Sequence, residues 1–148
     1  MTVHRHRFRV RYGESDQMGF VHHSVYLLYF EEGRTGLMRD LGRSYADLEK
    51  AGHLLPVTEA GLRFRSPARY DEELVTETRV TEVTGARVRF DYRVLHAAGG
   101  SLAAEGWTVL ASCGRDGRPR RMDPDLRAAL LAAVEAPGTA APAPVVQR

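Results

Sequence analysis

Residues 12–41 read YGESDQMGFVHHSVYLLYFEEGRTGLMRDL. The stretch changes character near its middle. Residues 13–23 hold two glycines, the carboxylates Glu14 and Asp16, and adjacent histidines at 22 and 23, with no apolar period; they read as an irregular loop. Residues 24–41 read as a helix. Ser24 is placed to cap it, and Gly42 stands where a C-terminal glycine stop belongs. The run VYLLYF is apolar all round, which predicts burial on several sides. Gly33 and Gly36 each cost about 1 kcal/mol of helix propensity relative to alanine. Their presence predicts either close approach of a neighbouring element or a break near Gly36.

The flanks have a different period. Upstream, residues 5–12 (RHRFRVRY) alternate, with Phe8, Val10 and Tyr12 on one face of a half-buried strand. His4 and His6 share that face, too few ligands for a metal site. After one or two helical turns over 44–51, four runs read as strands: 57–65, 72–83, 86–96 and 101–113. Thr84-Gly85 and Gly99-Gly100 supply turn chemistry between them. The four are expected to form an antiparallel meander. Residues 115–121 (RDGRPRR) form a basic turn, and Asp123-Pro124 opens a short amphipathic helix. One strand, one buried helix and four long strands make an α+β chain. The domain is expected to span 1–135, leaving an Ala/Pro-rich tail over 136–148 that reads as disordered.

Composition narrows the function classes. At 148 residues, 43% hydrophobic and 27% charged, the chain suits one core without metals or disulfides. No run is long enough for a membrane span. The single cysteine, Cys113, has no internal partner and reads as a core or edge residue; a reducing, cytoplasmic setting is expected. Net charge is +2, and Lys50 is the lone lysine among many arginines. Arginine suits phosphate, but no zinc-finger spacing or aromatic RNA-binding motif points to nucleic acid.

The loop carries the chemistry. A carboxylate just before a helix can act as nucleophile or general base, while the helix's unsatisfied N-terminal N–H groups can hold an oxyanion. Asp16 fits the first role, and equally fits a loop-capping aspartate. His23 either orients the acid or contacts the reacting group, or is a half-buried histidine. Tyr12 either bonds near the acid or ends a core strand. Glu14 reads as solvated or ion-paired, His22 as outside the site, and Glu31–Arg34 as a structural helix pair.

Tyr12, Asp16, Gly19 and His23 resemble the signature of the 4-hydroxybenzoyl-CoA thioesterase family, closest to its bacterial branch associated with the Tol-Pal system. Phe30-Glu31 with Arg34, Ser66-Pro67-Ala68-Arg69-Tyr70-Asp71 and Gly117-Arg118-Pro119-Arg120 resemble its later motifs, over roughly residues 5–127. The resemblance implies a hotdog fold, a curved five-stranded antiparallel sheet wrapped around one long helix. It implies acyl-CoA thioester hydrolysis with Asp16, His23 and Tyr12 catalytic. Substrate contacts would come from Gly19, Val21 and Ser24, with Arg69, Arg118 and Arg120 toward the nucleotide. No metal or cofactor is expected, coenzyme A being part of the substrate. A homodimer, or a dimer of dimers, is the implied assembly. Two other readings of the same fold are an enoyl-CoA hydratase and a non-catalytic acyl-CoA-binding module.

Overall fold

The computed structural model describes residues 3–134. The expected tail over 136–148 lies outside them. Strand β1 (His4–Arg9) leads through a 3-10 turn (Tyr12–Glu14) into helix α1 (Val25–Asp40). The short helix α2 (Tyr45–Lys50) follows, capped by the Ser44 hydroxyl on the Asp47 N–H. Strands β2 (Val57–Phe64), β3 (Glu73–Val83), β4 (Arg87–His96) and β5 (Leu102–Ala111) come next, then α3 (Pro124–Ala133). Asp123 caps α3 with Pro124 in its first turn, as its sequence predicts.

All five strands form one antiparallel sheet in the order β1-β3-β4-β5-β2. The expected four-strand meander is therefore corrected. β3, β4 and β5 do run as consecutive hairpins, but β2 pairs with the far side of β5. The two turn signals sit at the β3–β4 and β4–β5 junctions. Between β2 and β3 the chain instead has SPARYD, and this segment crosses the end of the sheet.

α1 lies in the sheet's concave side, the hotdog arrangement. Tyr26, Tyr29, Phe30, Gly33, Leu37 and Met38 make its buried face. Phe30 stacks on Tyr92 of β4 at 4.3 Å between ring centroids. Complete burial of one such ring contributes roughly 1.5–3 kcal/mol. The helix does not break at Gly36. A side chain at Gly33 would meet the Thr78 hydroxyl at 2.3 Å, and one at Gly36 would meet the His4 ring at 2.3 Å. The propensity lost at both glycines thus lets β3 and β1 approach. Burial on several sides does not occur within this chain: Leu27 and Leu28 face outward.

Alternation sends charge to the opposite, convex face. There Arg5, Glu77, Arg93, Glu105 and Arg63 stand in register across all five strands. Arg5 Nε meets Glu77 at 2.9 Å, and Arg65 from the next position of β2's flank meets Glu105 at 2.8 Å. Cross-strand pairs of opposite charge contribute about 0.2–1 kcal/mol each.

Candidate active site

The loop from Ser15 to Ser24 is built by backbone bonds before any side chain acts. The Asp16 N–H donates to Phe20 O at 2.7 Å, and the Gly19 N–H to Asp16 O at 3.0 Å. Gly19 sits at φ 81°, a left-handed conformation that glycine adopts without strain. The Val21 N–H donates to Ala68 O at 2.8 Å, tying the loop to the crossover between β2 and β3. The N–H groups of Gly19 and Val21, both expected to contact substrate, are therefore spent within the fold.

Asp16 is half-buried. Its Oδ1 accepts the Met18 N–H at 2.9 Å and the Phe20 N–H at 3.3 Å. The carboxylate does cap its own loop, and this leaves Oδ2 without a hydrogen-bond partner among the described residues. Both readings of Asp16 thus share one geometry: one oxygen is held and the other is available.

Several neighbours differ from expectation. Ser24 does not cap α1. Its backbone is already helical, and its hydroxyl bonds the His22 ring Nδ1 at 2.7 Å. The Ser24 N–H also points at His22 Nδ1, at 3.2 Å, and the Val25 N–H donates to His22 O at 3.0 Å. His22, expected outside the site, is thus the residue that organises the helix's first turn. It also packs on His23, ring centroids 4.2 Å apart. His23 itself is exposed. Tyr12 neither ends the core strand nor reaches the acid; it is 80% exposed and meets Tyr70 edge-on. Glu14 is partly exposed and makes no ion pair among the described residues. It accepts the Tyr29 hydroxyl at 3.1 Å and the Arg11 N–H at 2.7 Å. Burial, and then Glu14's charge, push the Tyr29 phenol well above its ordinary range. Arg34 does not pair with Glu31 on the surface but turns inward to Tyr92 and Tyr45. Burial pushes the Tyr92 phenol up to about 12, against the pull of the Arg34 guanidinium.

Of the three substrate arginines, only Arg69 lies beside the loop. Its guanidinium covers the Phe20 ring at 4.7 Å, and the two residues form a β-bridge. Arg118 and Arg120 occupy the other end of the sheet, with Arg115 and Gly52, in a surface depression of about 680 Å³. One chain does not bring them to Asp16. Arg120 donates to Gly52 O at 3.1 Å, while Arg118 is 87% exposed. Among the described residues there is no cluster of three or more side chains suited to a metal ion.

With this geometry in hand, residues 10–130 match the thioesterase-like superfamily. The chain belongs to the thioesterase-like superfamily. Its likeness extends to YneP of Bacillus subtilis, 39% identical over 99 residues, covering 67% of this chain and 72% of that one. The acyl-CoA thioesterase YbgC of Haemophilus influenzae is 32% identical over 106 residues, covering 71% of this chain and 76% of its own. Among solved structures, DHNA-CoA thioesterase of Staphylococcus aureus superimposes with a TM-score of 0.85 at 32% identity, over 89% of this chain and 91% of that one. The hotdog expectation is borne out, and so is the expectation of a thioesterase at the level of the family. No helix among the described residues is long and apolar enough to cross a membrane.

The sequence reading found the SPARYD crossover but missed what fastens it. The crossover carries a hydrogen-bonded row of Ser66, His96 and Glu72 beneath the loop. Ser66 and Glu72 flank one motif, but His96 lies at the end of β4. Only the strand register brings it there, and nothing local in the sequence announces it.

Proposed function

We propose that this protein hydrolyses acyl-CoA thioesters, with Asp16 acting on the thioester carbon directly or through a bound water. The observation that carries the reading is the half-held Asp16 carboxylate at the start of α1, in a chain of this superfamily. Two backbone N–H groups fix its direction and leave Oδ2 free for the reaction. The oxyanion falls to N–H groups not already used by His22, those of His23, Tyr26 and Leu27, where the helix has no carbonyls of its own to offer. His23 supplies its side chain to the thioester end, and the exposed Tyr12 meets the substrate from the surface. Arg69 meets the pantetheine side. No cofactor is required: water is the second substrate, its oxygen going to the acyl carbon as the C–S bond breaks and coenzyme A leaves as the free thiol.

The finer family placement, the 4-hydroxybenzoyl-CoA thioesterase family near the Tol-Pal-associated branch, belongs to the same proposal, as do a cytoplasmic setting and a homodimer. Support for the dimer comes from the surface. β2 is an edge strand, and Met18, Leu28, Phe64 and Tyr70 are exposed around the Asp16 end. Antiparallel pairing of two β2 strands sets the Phe64 end of one copy beside the Val57 end of the other. Arg118 and Arg120 of one chain then serve Asp16 of its partner.

The test is a panel of acyl-CoAs with free thiol followed. Wild type is expected to release thiol, and Asp16→Asn to lose about 10²–10⁴-fold in kcat. Turnover by Asp16→Asn at the wild-type rate overturns the assignment of the acid. Hydration of crotonyl-CoA without thiol release favours the hydratase instead.

A further inference from the structure

The row beneath the Asp16 loop has the connectivity of a serine hydrolase. Ser66 Oγ lies 2.8 Å from His96 Nε2, and His96 Nδ1 bonds the Glu72 carboxylate. Its surroundings do not suit a nucleophile. Ser66 Oγ also lies 2.8 Å from the Leu102 carbonyl, which can only accept, so the hydroxyl proton goes there. His96 Nε2 must then donate to Ser66. The Ser66 N–H is spent on Ala103 O at 3.1 Å, and the next residue is Pro67, which has no N–H. The serine's own neighbours therefore offer no oxyanion donor.

What the row does is clasp a strained segment. Asp71 adopts φ 64°, the one non-glycine residue with positive φ among the described residues. Glu72 also accepts the Arg69 N–H at 3.2 Å through its other oxygen, so one carboxylate holds both ends of the turn. The clasped segment makes three contacts with the site. Ala68, fully buried, gives its carbonyl to the Val21 N–H, and its backbone lies beside the Tyr26 phenol in the first turn of α1. Arg69 lies over Phe20. Phe20 and Val21 are in turn what pin Asp16, since Phe20 O takes the Asp16 N–H and Ser15 bridges Val21.

We propose that His96 is a positioning residue for the hydrolysis: held between Glu72 and Ser66, it fixes the 66–72 crossover, and through Ala68 and Arg69 sets the Asp16 loop against the first turn of α1. This rests on the reading of Asp16 as the acid. A shift near 1 Å at a reacting group lowers the chemical step far more than substrate binding.

The experiment compares wild type, His96→Phe, His96→Gln, Ser66→Ala and Asp16→Asn by steady-state acyl-CoA hydrolysis and thermal melting, and exposes wild type to a fluorophosphonate probe. His96→Phe is expected to lose about tenfold to a hundredfold in kcat with KM within about twofold. His96→Gln, whose amide still donates to Ser66, is expected to recover most of that loss. Ser66→Ala carries the same split at about threefold, and decides the matter where His96→Phe does not fold. The probe is expected to leave Ser66 unlabelled. Wild-type kcat in both His96→Phe and Ser66→Ala, a loss in kcat not recovered by glutamine, or labelling of Ser66 overturns the proposal. Full activity in Asp16→Asn overturns the reading of the acid and is scored separately from the His96 series.

Discussion

The two ends of the sheet are built on different principles. At the end holding Asp16, the loop that runs directly into α1 is knitted by a backbone bond to the crossover, a segment distant in sequence. The outer rim of this end is apolar and exposed at Met18, Phe64 and Tyr70. At the opposite end a single turn, Asp116-Gly117, presents arginines that lie close in sequence. Arg115 is tied to the carbonyls of Glu49 and Lys50, and Arg120 to that of Gly52, while Arg118 reaches into solvent. A reacting centre has to hold angles and distances, so it is assembled from several elements. A phosphate needs only charge and reach, which one mobile side chain on a firm turn can give. In the proposed dimer the two tasks are separated by the length of a strand and shared between two chains.

The sharpest way to break this contrast is subunit mixing. Asp16→Asn alone and the double variant Arg118→Ala/Arg120→Ala are each expected to hydrolyse acyl-CoA poorly. Co-expressed and purified as a mixed dimer, they are expected to regain activity, because one of the two sites then pairs an intact Asp16 with intact arginines. No recovery would place both functions in one chain. Next in size, Arg118→Ala is expected to raise KM for acyl-CoA about tenfold with kcat unchanged, the signature of lost uniform binding. The same variant should match wild type on an acyl-pantetheine that lacks the nucleotide. Arg120→Ala should shift the melting temperature more and KM less, since its guanidinium is already engaged with Gly52.

Stability separates the ends more gently. Removing the cap with Asp123→Ala is expected to cost about 1 kcal/mol in chemical denaturation, leaving kcat untouched. The smallest effect belongs to Tyr92, between the two ends. Its phenol has a folded pKa of about 12 against an ordinary 10.0, so the neutral form is the one folding favours. Its contribution is fully present below pH 10 and fades as pH climbs toward 12. Denaturation midpoints followed across that window should fall in wild type and fall less in Tyr92→Phe.

Legibility in the sequence followed the range of the interaction. α1, the two hairpin turns and the Asp123 cap are local, and the order of apolar and turn residues announced them. Asp16 stood out because its loop and the helix after it are contiguous. The place of β2 was not legible. Its alternation fits a neighbour on either side, and nothing in the sequence of β2 chooses β5 over β3. His96 was invisible for the same reason, being 30 residues from Ser66 and joined to it only by register. Ser24 misled because a serine before a helix is usually a cap, whereas here its backbone is already helical and its hydroxyl is engaged by the His22 ring.

The charged row on the convex face has a consequence for how the chain finds that register. Sliding β3 by two residues against β4 in one direction keeps every side chain on its face but sets Glu77 opposite Asp91. The same slide of β1 against β3 sets Arg5 opposite Arg79. The concave side marks the same alignment by shape, through Gly33 against Thr78 and Phe30 on Tyr92. The salt-bridged side is thus a second ruler: it marks one alignment of the strands by charge.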